Sequence, residues 1–329
     1  MVENYHNGFV ETDLPLITVT IRHKMKSGTD PTTVMDDEVR SLINDTQRTL
    51  YRMDDHILPK GSYEGLIVPL IKESMIGLSE HLDVGLTDDQ MDEAISLMRN
   101  GLREYPWSIS LMNIIHAKIT GMDDIRLTID KEYIEERVFI ACPPENIKNE
   151  MRALMDWTMQ SPYDSLVKAA IFLHEYLSIR PYIDDGGLTG LVLTSILLQR
   201  NGMREITSCA FTKMMTKDIS RFNTLFLDTE RTGNYTEWVR EFMISTHGSA
   251  IESGRFIETN DILSDENDPR IRILAHTARD HGQFTLQEAV SWVDLGEQTV
   301  RSKLERLVEL NILEKQGKTK GLRYVYIGD

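Results

Sequence analysis

The chain has 329 residues, of which 41 % are apolar and 27 % charged, and its net charge is −16; this is a globular composition, long enough for about two domains of ~100–200 residues, and too acidic for a protein that coats nucleic acid with its whole surface. Only two cysteines occur, Cys142 and Cys209, which excludes a disulfide framework or a cysteine zinc cluster. No run approaches the ~20 apolar residues of a membrane helix, and the N-terminus lacks a basic-then-apolar leader, so a soluble cytoplasmic protein with no membrane partner is expected.

Residues 1–60 hold turn residues (Gly8, Pro15, Gly28, Pro31), an alternating run Leu16 to His23 that reads as an edge strand or an extended arm, and a first amphipathic helix. In that helix Val39, Leu42, Ile43, Leu50 and Met53 recur at the spacing of one helical face. "LIVPLIKESMIGLSEHL" continues the helical pattern around Pro69. Thr87 is placed to cap the next helix, whose first turn carries the acids that suit its positive end. After "SISLMNIIHAKI", another helix, Val138 to Ala141 is a short strand-like run ended by Pro143-Pro144, the mark of a two-stranded flap. Asn146 opens the following helix. Ser165–Ile179 and Thr189–Arg200 are apolar nearly all round, so they belong at the centre of the core. "TEWVREFMIST" adds a helix with Trp238 and Phe242 inward.

Residues 258–269 are polar and acidic with a terminal proline, the composition of a linker. From Pro269 onward ten Lys or Arg stand against eight Asp or Glu, a net of +2, which leaves −18 for the rest. Within 270–329 the order is a helix stopped by Gly282, a second capped by Thr285, a third, and a hairpin around glycine-bounded basic residues. Three helices and a hairpin in ~60 residues make a winged helix-turn-helix. Its third helix offers Gln298, Thr299, Arg301, Ser302 and Arg306 to a major groove, and Lys315, Lys318, Lys320 and Arg323 decorate the wing. Duplex DNA is therefore the expected partner of this unit; the same fold also serves as a protein-docking or dimerising module, which leaves a homodimer open.

Two apparent motifs fail on spacing. His174-Glu175 begins a zinc-protease pattern, but its second histidine would fall at Ser178, so this helix alone supplies no zinc pair. Gly317 to Thr319 echoes a phosphate loop, yet Ile312 stands where the upstream glycine must be and a strand follows instead of a helix.

Between the two apolar helices lies "RPYIDDGGLTGL", Arg180 to Leu191. A glycine-bearing loop that runs into a helix N-terminus presents free N–H groups to an anion. Asp185 opposes that use, because a like charge at ~4 Å costs roughly 1 to 4 kcal/mol, while Asp184 would need a bridging Mg²⁺.

"AAIFLHEYLSIRPYIDDGGLTGLVL" resembles the Fic family, whose signature is H-P-F-x-[DE]-G-N-G-R-x-x-R between two buried helices. The resemblance runs over roughly residues 60–250. "VFIACPPENIKNEMRALMDW" is similar to the family's target-binding flap, its proline pair and helix, and "TGNYTEWVREFM" to the tryptophan helix that follows the motif. "LSEHLDVGLT" stands in the place of the family's regulatory [ST]-x-x-x-E-[GN] helix, with Ser79 matching and Asp83 and Val84 substituted. The resemblance implies a mainly α fold, a Fic-like helical domain with a small β flap over 61–257, a linker over 258–269 and the winged helix over 270–329. It also implies transfer of AMP from ATP to a target hydroxyl: the histidine takes the proton, the acid holds Mg²⁺, the asparagine and loop amides grip phosphates and the arginines neutralise the triphosphate.

Laid on that signature, Arg180 stands for the histidine, Pro181 and Tyr182 follow the pattern, and Asp184 keeps the metal acid. Asp185 replaces a glycine, Gly186 the asparagine, Gly187 fits, and Leu188 and Leu191 replace both arginines. A guanidinium cannot act as general base at any physiological pH, and without the arginines phosphoryl-type transfer loses its charge stabilisation. The expectation is a silent Fic-like domain acting as a DNA-associated regulator or adaptor, with no cofactor, Asp184 and Asp185 capping the next helix, and Leu188 and Leu191 filling space. Two rival readings are kept. One is a transferase of altered chemistry, with Asp184 and Gly187 binding MgATP or a smaller phosphate compound and Arg180 as electrophile. The other is a docking module whose flap, near Val138–Ala141, takes a peptide strand.

Overall fold

The structure, a computed structural model, describes residues 19–22, 31, 35–57, 72, 87–100, 105–122, 125–128, 130–134, 137–182, 187–203, 218–263, 268–293, 295–317 and 321–327. In chain order these form β1 (Val19–Arg22), α1 (Asp37–Ile57), α2 (Asp88–Asn100), α3 (Ile109–Thr120), β2 (Lys131–Ile134), β3 (Arg137–Ile140), α4 (Ile147–Gln160), α5 (Ser165–Ile179), α6 (Leu188–Arg200), α7 (Ile219–Thr232) and α8 (Thr236–Ile262). After them come α9 (Pro269–His281), β4 (Gln283–Phe284), α10 (Leu286–Trp292), α11 (Glu297–Glu309), β5 (Leu313–Gln316) and β6 (Arg323–Tyr326). None of the described helices is long and apolar enough to cross a membrane.

The two apolar segments become α5 and α6, packed together at the centre, with α4 and α8 against the first and α2 and α3 against the second. Their approach is close because Gly190 carries no side chain. A Cβ built there would stand 2.3 Å from Cδ1 of the Tyr176 ring. Trp238, wholly buried, ties α8 to this centre by donating its indole N–H to Ala170 O at 2.7 Å. Trp107 donates in the same way to Thr158 Oγ1 on α4 at 3.0 Å. These two indoles thus pack against the core and still satisfy their one donor.

Helix starts follow the caps that the sequence offers. Thr87 Oγ1 accepts from Gln90 N–H at 3.3 Å while Gln90 Oε1 accepts from Thr87 N–H at 2.9 Å, a reciprocal capping box. Thr285 and Glu288 repeat it at the start of α10. Before α4 the chain makes a 3-10 turn over Pro144–Asn146, so the helix starts at Ile147, one residue after Asn146.

Two features differ from the sequence reading. The flap has three strands, in the order β1-β3-β2: β2 pairs antiparallel with β3, and β1 runs parallel along its other edge, with Val19 opposite Arg137 and Arg22 opposite Ile140. The edge-strand option for Leu16 to His23 therefore holds over Val19–Arg22, and the rest of that run lies outside the described residues. The second difference is at the linker. Residues 258–262 continue α8, because no proline or glycine interrupts the helix there, and Leu263 is already buried in the second core.

That second core gathers Leu263, Ile271, Leu274, Phe284, Val300, Leu304, Leu307 and Tyr324. Around it stand α9, α10, α11 and an antiparallel sheet of order β4-β6-β5. Gly317 turns the β5–β6 hairpin at φ 85°, where a Cβ would lie 2.4 Å from Gly321 O.

Alanine at two glycines should separate packing from propensity. Gly190→Ala forces Tyr176 and the α5–α6 contact apart and is expected to cost about 1–3 kcal/mol. Gly248, within α8 and with nothing within 4 Å of a new methyl group, should gain about 0.5–1 kcal/mol as alanine. Urea melts of the two variants should shift in opposite directions.

Candidate functional site

The segment from Arg180 to Leu191 begins where α5 ends. Asp164 caps the start of that helix by accepting from Leu166 N–H at 2.9 Å, and Arg180 closes it in the left-handed region, φ 52° and ψ 66°, its N–H donating to Tyr176 O at 2.8 Å. Glycine is the residue that normally takes such a position. Arginine holds it here because neighbours grip the backbone on both sides.

The grip comes from Arg126, between α3 and the flap, only 6 % exposed. Its Nε donates to Arg180 O at 2.6 Å, Nη2 to Ile179 O at 3.0 Å and to Cys142 O, and Nη1 to Thr128 O at 2.6 Å. Its backbone N–H donates to Pro181 O at 3.0 Å. One guanidinium thereby takes up the last carbonyls of α5, which no intrahelical donor can reach, and the carbonyl that leaves β3. Burial pulls Arg126 down from the ordinary arginine value, with Asp130 opposing, yet it stays a cation and suits the negative end of the helix.

Arg180 itself reaches outward to the flap. Its Nε lies 3.1 Å from Asp130 Oδ2, both side chains half-buried, and Asp130 O accepts from Ala141 N–H at 3.2 Å beside β2 and β3. Tyr182 turns the other way. Its ring stacks on His116 of α3 with centroids 3.5 Å apart and planes 3° from parallel, and its hydroxyl donates to Asn113 Oδ1 at 2.7 Å. His116 Nδ1 also lies 3.2 Å from Thr189 Oγ1, so one buried imidazole braces both sides of the loop.

Asp184, Asp185 and Gly186 lie outside the described residues, as do Ser79, Asp83 and Cys209. Gly187 is the N-cap of α6 in the left-handed region, φ 85°, with no side-chain cap, and a Cβ there would meet Leu177 Cδ2 at 2.6 Å. Leu188 and Leu191 are both 0 % exposed and belong to the main core. Cys142 is no nucleophile: burial, with Glu150 adding to it, pushes its thiol up to about 12.

In the C-terminal unit, Gln298, Thr299, Arg301, Ser302 and Arg306 are all exposed on α11. Three basic side chains are already paired within the unit: Arg301 with Glu297 at 2.9 Å, Arg306 with Glu309 at 3.2 Å and Lys315 with Glu305 at 2.9 Å. Arg323 is exposed on β6, and Lys318 and Lys320 fall outside the described residues. The sequence reading missed Arg126, Asp130 and His116. No periodicity or spacing marks them, since each acts on a segment far along the chain.

Residues 106–198 match the sequence model of the family described as Fic/DOC. No curated protein matches the chain. Among solved structures, a Fic family protein from Desulfovibrio desulfuricans G20 is 15 % identical with a TM-score of 0.56, over 91 % of this chain and 99 % of that one. A Fic domain containing signaling protein from Bacteroides thetaiotaomicron VPI-5482 is 15 % identical with a TM-score of 0.45, over 68 % and 96 % respectively. At such identity the first likeness speaks for the fold. The stretch that runs from Pro106 through the Arg180 loop to Leu198 is accordingly a Fic/DOC family domain.

Proposed function

We propose that this chain is a Fic-like protein without AMP transfer, working as a DNA-associated regulator or adaptor through a C-terminal winged helix. Fic/DOC domains typically transfer AMP or other phosphate groups to proteins. The observation that carries the proposal is the chemistry at the ends of the Arg180 to Leu191 segment. A guanidinium paired to Asp130 occupies the place of the proton acceptor, and it cannot accept a proton. Two wholly buried leucines occupy the places of the triphosphate arginines. A transition state that relies on positioning and charge stabilisation finds neither at those positions.

The rival of altered transfer keeps Asp184 with Mg²⁺ and uses Arg180 as electrophile. The Arg180–Asp130 ion pair weighs against it, because an electrophile for phosphate must first give up its carboxylate.

For the C-terminal unit, the order of three helices and a β4-β6-β5 sheet supports the winged-helix reading. The exposed face of α11 supports DNA contact. The internal glutamate partners of Arg301, Arg306 and Lys315 favour the adaptor side, since phosphates must displace them first. The docking reading, with a peptide strand added at the flap, meets an obstacle. Along β3 both edges are taken, one by β2 and one by β1, so a peptide strand adds there only by replacing Val19–Arg22.

Three measurements test these readings. Calorimetry with MgATP should give no saturable heat; binding in the micromolar range would restore the transferase reading. Duplex binding followed across a salt series should weaken in Arg301→Ala and Arg306→Ala, each lowering the log–log salt slope by about 1, and an unchanged slope would sink DNA contact. Deletion of residues 1–30 should speed amide exchange at Arg137–Ile140 and let a synthetic peptide of residues 16–23 protect them again; unchanged protection would show that β1 does not guard that edge.

A further inference from the structure

Away from the loop, one compact set of ionisable side chains among the described residues lies buried beside the main core. His174 and Glu175 come from α5 and Glu230 from the last turn of α7; their exposures are 0 %, 4 % and 0 %. His174 Nε2 lies 3.2 Å from Phe226 O, an oxygen that can only accept, so Nε2 carries a hydrogen. The rings of Phe226, Tyr235 and Trp238, at centroid distances of 5.0, 5.2 and 4.9 Å, hold the imidazole in that orientation.

Nδ1 then faces the carboxylates, 3.0 Å from Glu175 Oε1 and 3.7 Å from Glu230 Oε1. In the neutral ring this atom bears a lone pair, as do both oxygens. One ligand atom from each residue falls within 4.8 Å of the others, and three electron-rich atoms so close are stabilised by a proton or a metal ion set between them. Two hydroxyls orient the carboxylates from outside: Tyr235 donates to Glu175 Oε1 at 2.5 Å, and Ser178 to Glu230 Oε1 at 2.7 Å. Burial and the Glu175 carboxylate push the Tyr235 phenol far up, so it remains a donor.

We propose that His174, Glu175 and Glu230 form a structural site for one divalent first-row metal ion of the zinc or manganese type. Bonds of about 2.0–2.2 Å place tetrahedral or octahedral ligands roughly 3.0–3.6 Å apart, close to the separations of 3.0 and 3.7 Å found here. An imidazole whose other nitrogen donates to a backbone carbonyl, and carboxylates fixed by hydroxyls, are the outer supports that metal ligands carry. One nitrogen with two carboxylate oxygens and no thiolate favours Zn²⁺ or Mn²⁺ over Cu⁺. With no second histidine at Ser178, α5 supplies His174 and Glu175 and the third ligand comes from α7. Such an ion fastens α5 to α7 six residues before Arg180, so its role is to stiffen the helix that carries the loop.

The test uses the full chain, purified without chelator and analysed for metal by mass spectrometry, then stripped with EDTA and melted with ZnCl₂, MnCl₂ or MgCl₂. About one zinc or manganese per chain is expected, with a melting temperature that falls on stripping and is restored by Zn²⁺ or Mn²⁺ but not Mg²⁺. Glu230→Gln, nearly equal in shape, should lose both the metal and the response. Should that variant fail to fold, Ser178→Ala leaves all three ligands in place and should weaken the metal about 10-fold. Wild-type protein that carries under about a tenth of an equivalent and melts identically with every metal overturns the proposal in favour of a proton on Nδ1. Metal retained in full by folded Glu230→Gln overturns it too, because the ion then sits elsewhere.

Discussion

The organisation of the loop region rests on one cation, the Arg126 guanidinium, and the carbonyl groups that converge on it. A helix that ends inside a protein leaves carbonyls without donors, and leaving them bare costs about 1–3 kcal/mol apiece. At the end of α5 a single planar side chain serves Ile179 O and Arg180 O and extends to Thr128 O and Cys142 O. The loop, the approach to the flap and the exit from β3 are thereby held as one piece. The left-handed backbone at Arg180 is tolerable only in that setting, because the carbonyl it turns inward has a fixed partner.

This arrangement also explains how an arginine sits comfortably at position 180. Its backbone is held from the inside by Arg126, and its side chain is drawn outward to Asp130. On the reading proposed above, the region has exchanged chemistry for architecture: it still joins two buried helices and still supports a flap. The stacked pair His116 and Tyr182 works to the same end, since a buried imidazole shared between a ring and the Thr189 hydroxyl ties the loop to α3.

Much of the fold was legible in the residues themselves. Apolar residues all round marked α5 and α6 as central, and both are; Thr87 and Thr285 announced their helices as caps, and Gln90 and Glu288 complete the two capping boxes. The third flap strand was less legible, because four alternating residues fit an edge strand and an arm equally well, and only the partner at Arg137–Ile140 decides. Composition misled at 258–262, where polar residues continue a helix that packing elsewhere had already nucleated. Arg126, Asp130 and Glu230 were invisible for a common reason: each derives its role from a segment more than twenty residues away or on another element, and linear spacing holds no trace of that.

The burial of Leu188 and Leu191 limits what either position can become. An arginine at either site would lodge a guanidinium in the main core, a destabilisation of several kcal/mol unless an acid arrives with it, and one that a denaturant titration of Leu191→Arg would reveal. A guanidinium at either position therefore needs concerted changes, and on the proposed reading each step away from a phosphate-binding segment behaves as a ratchet.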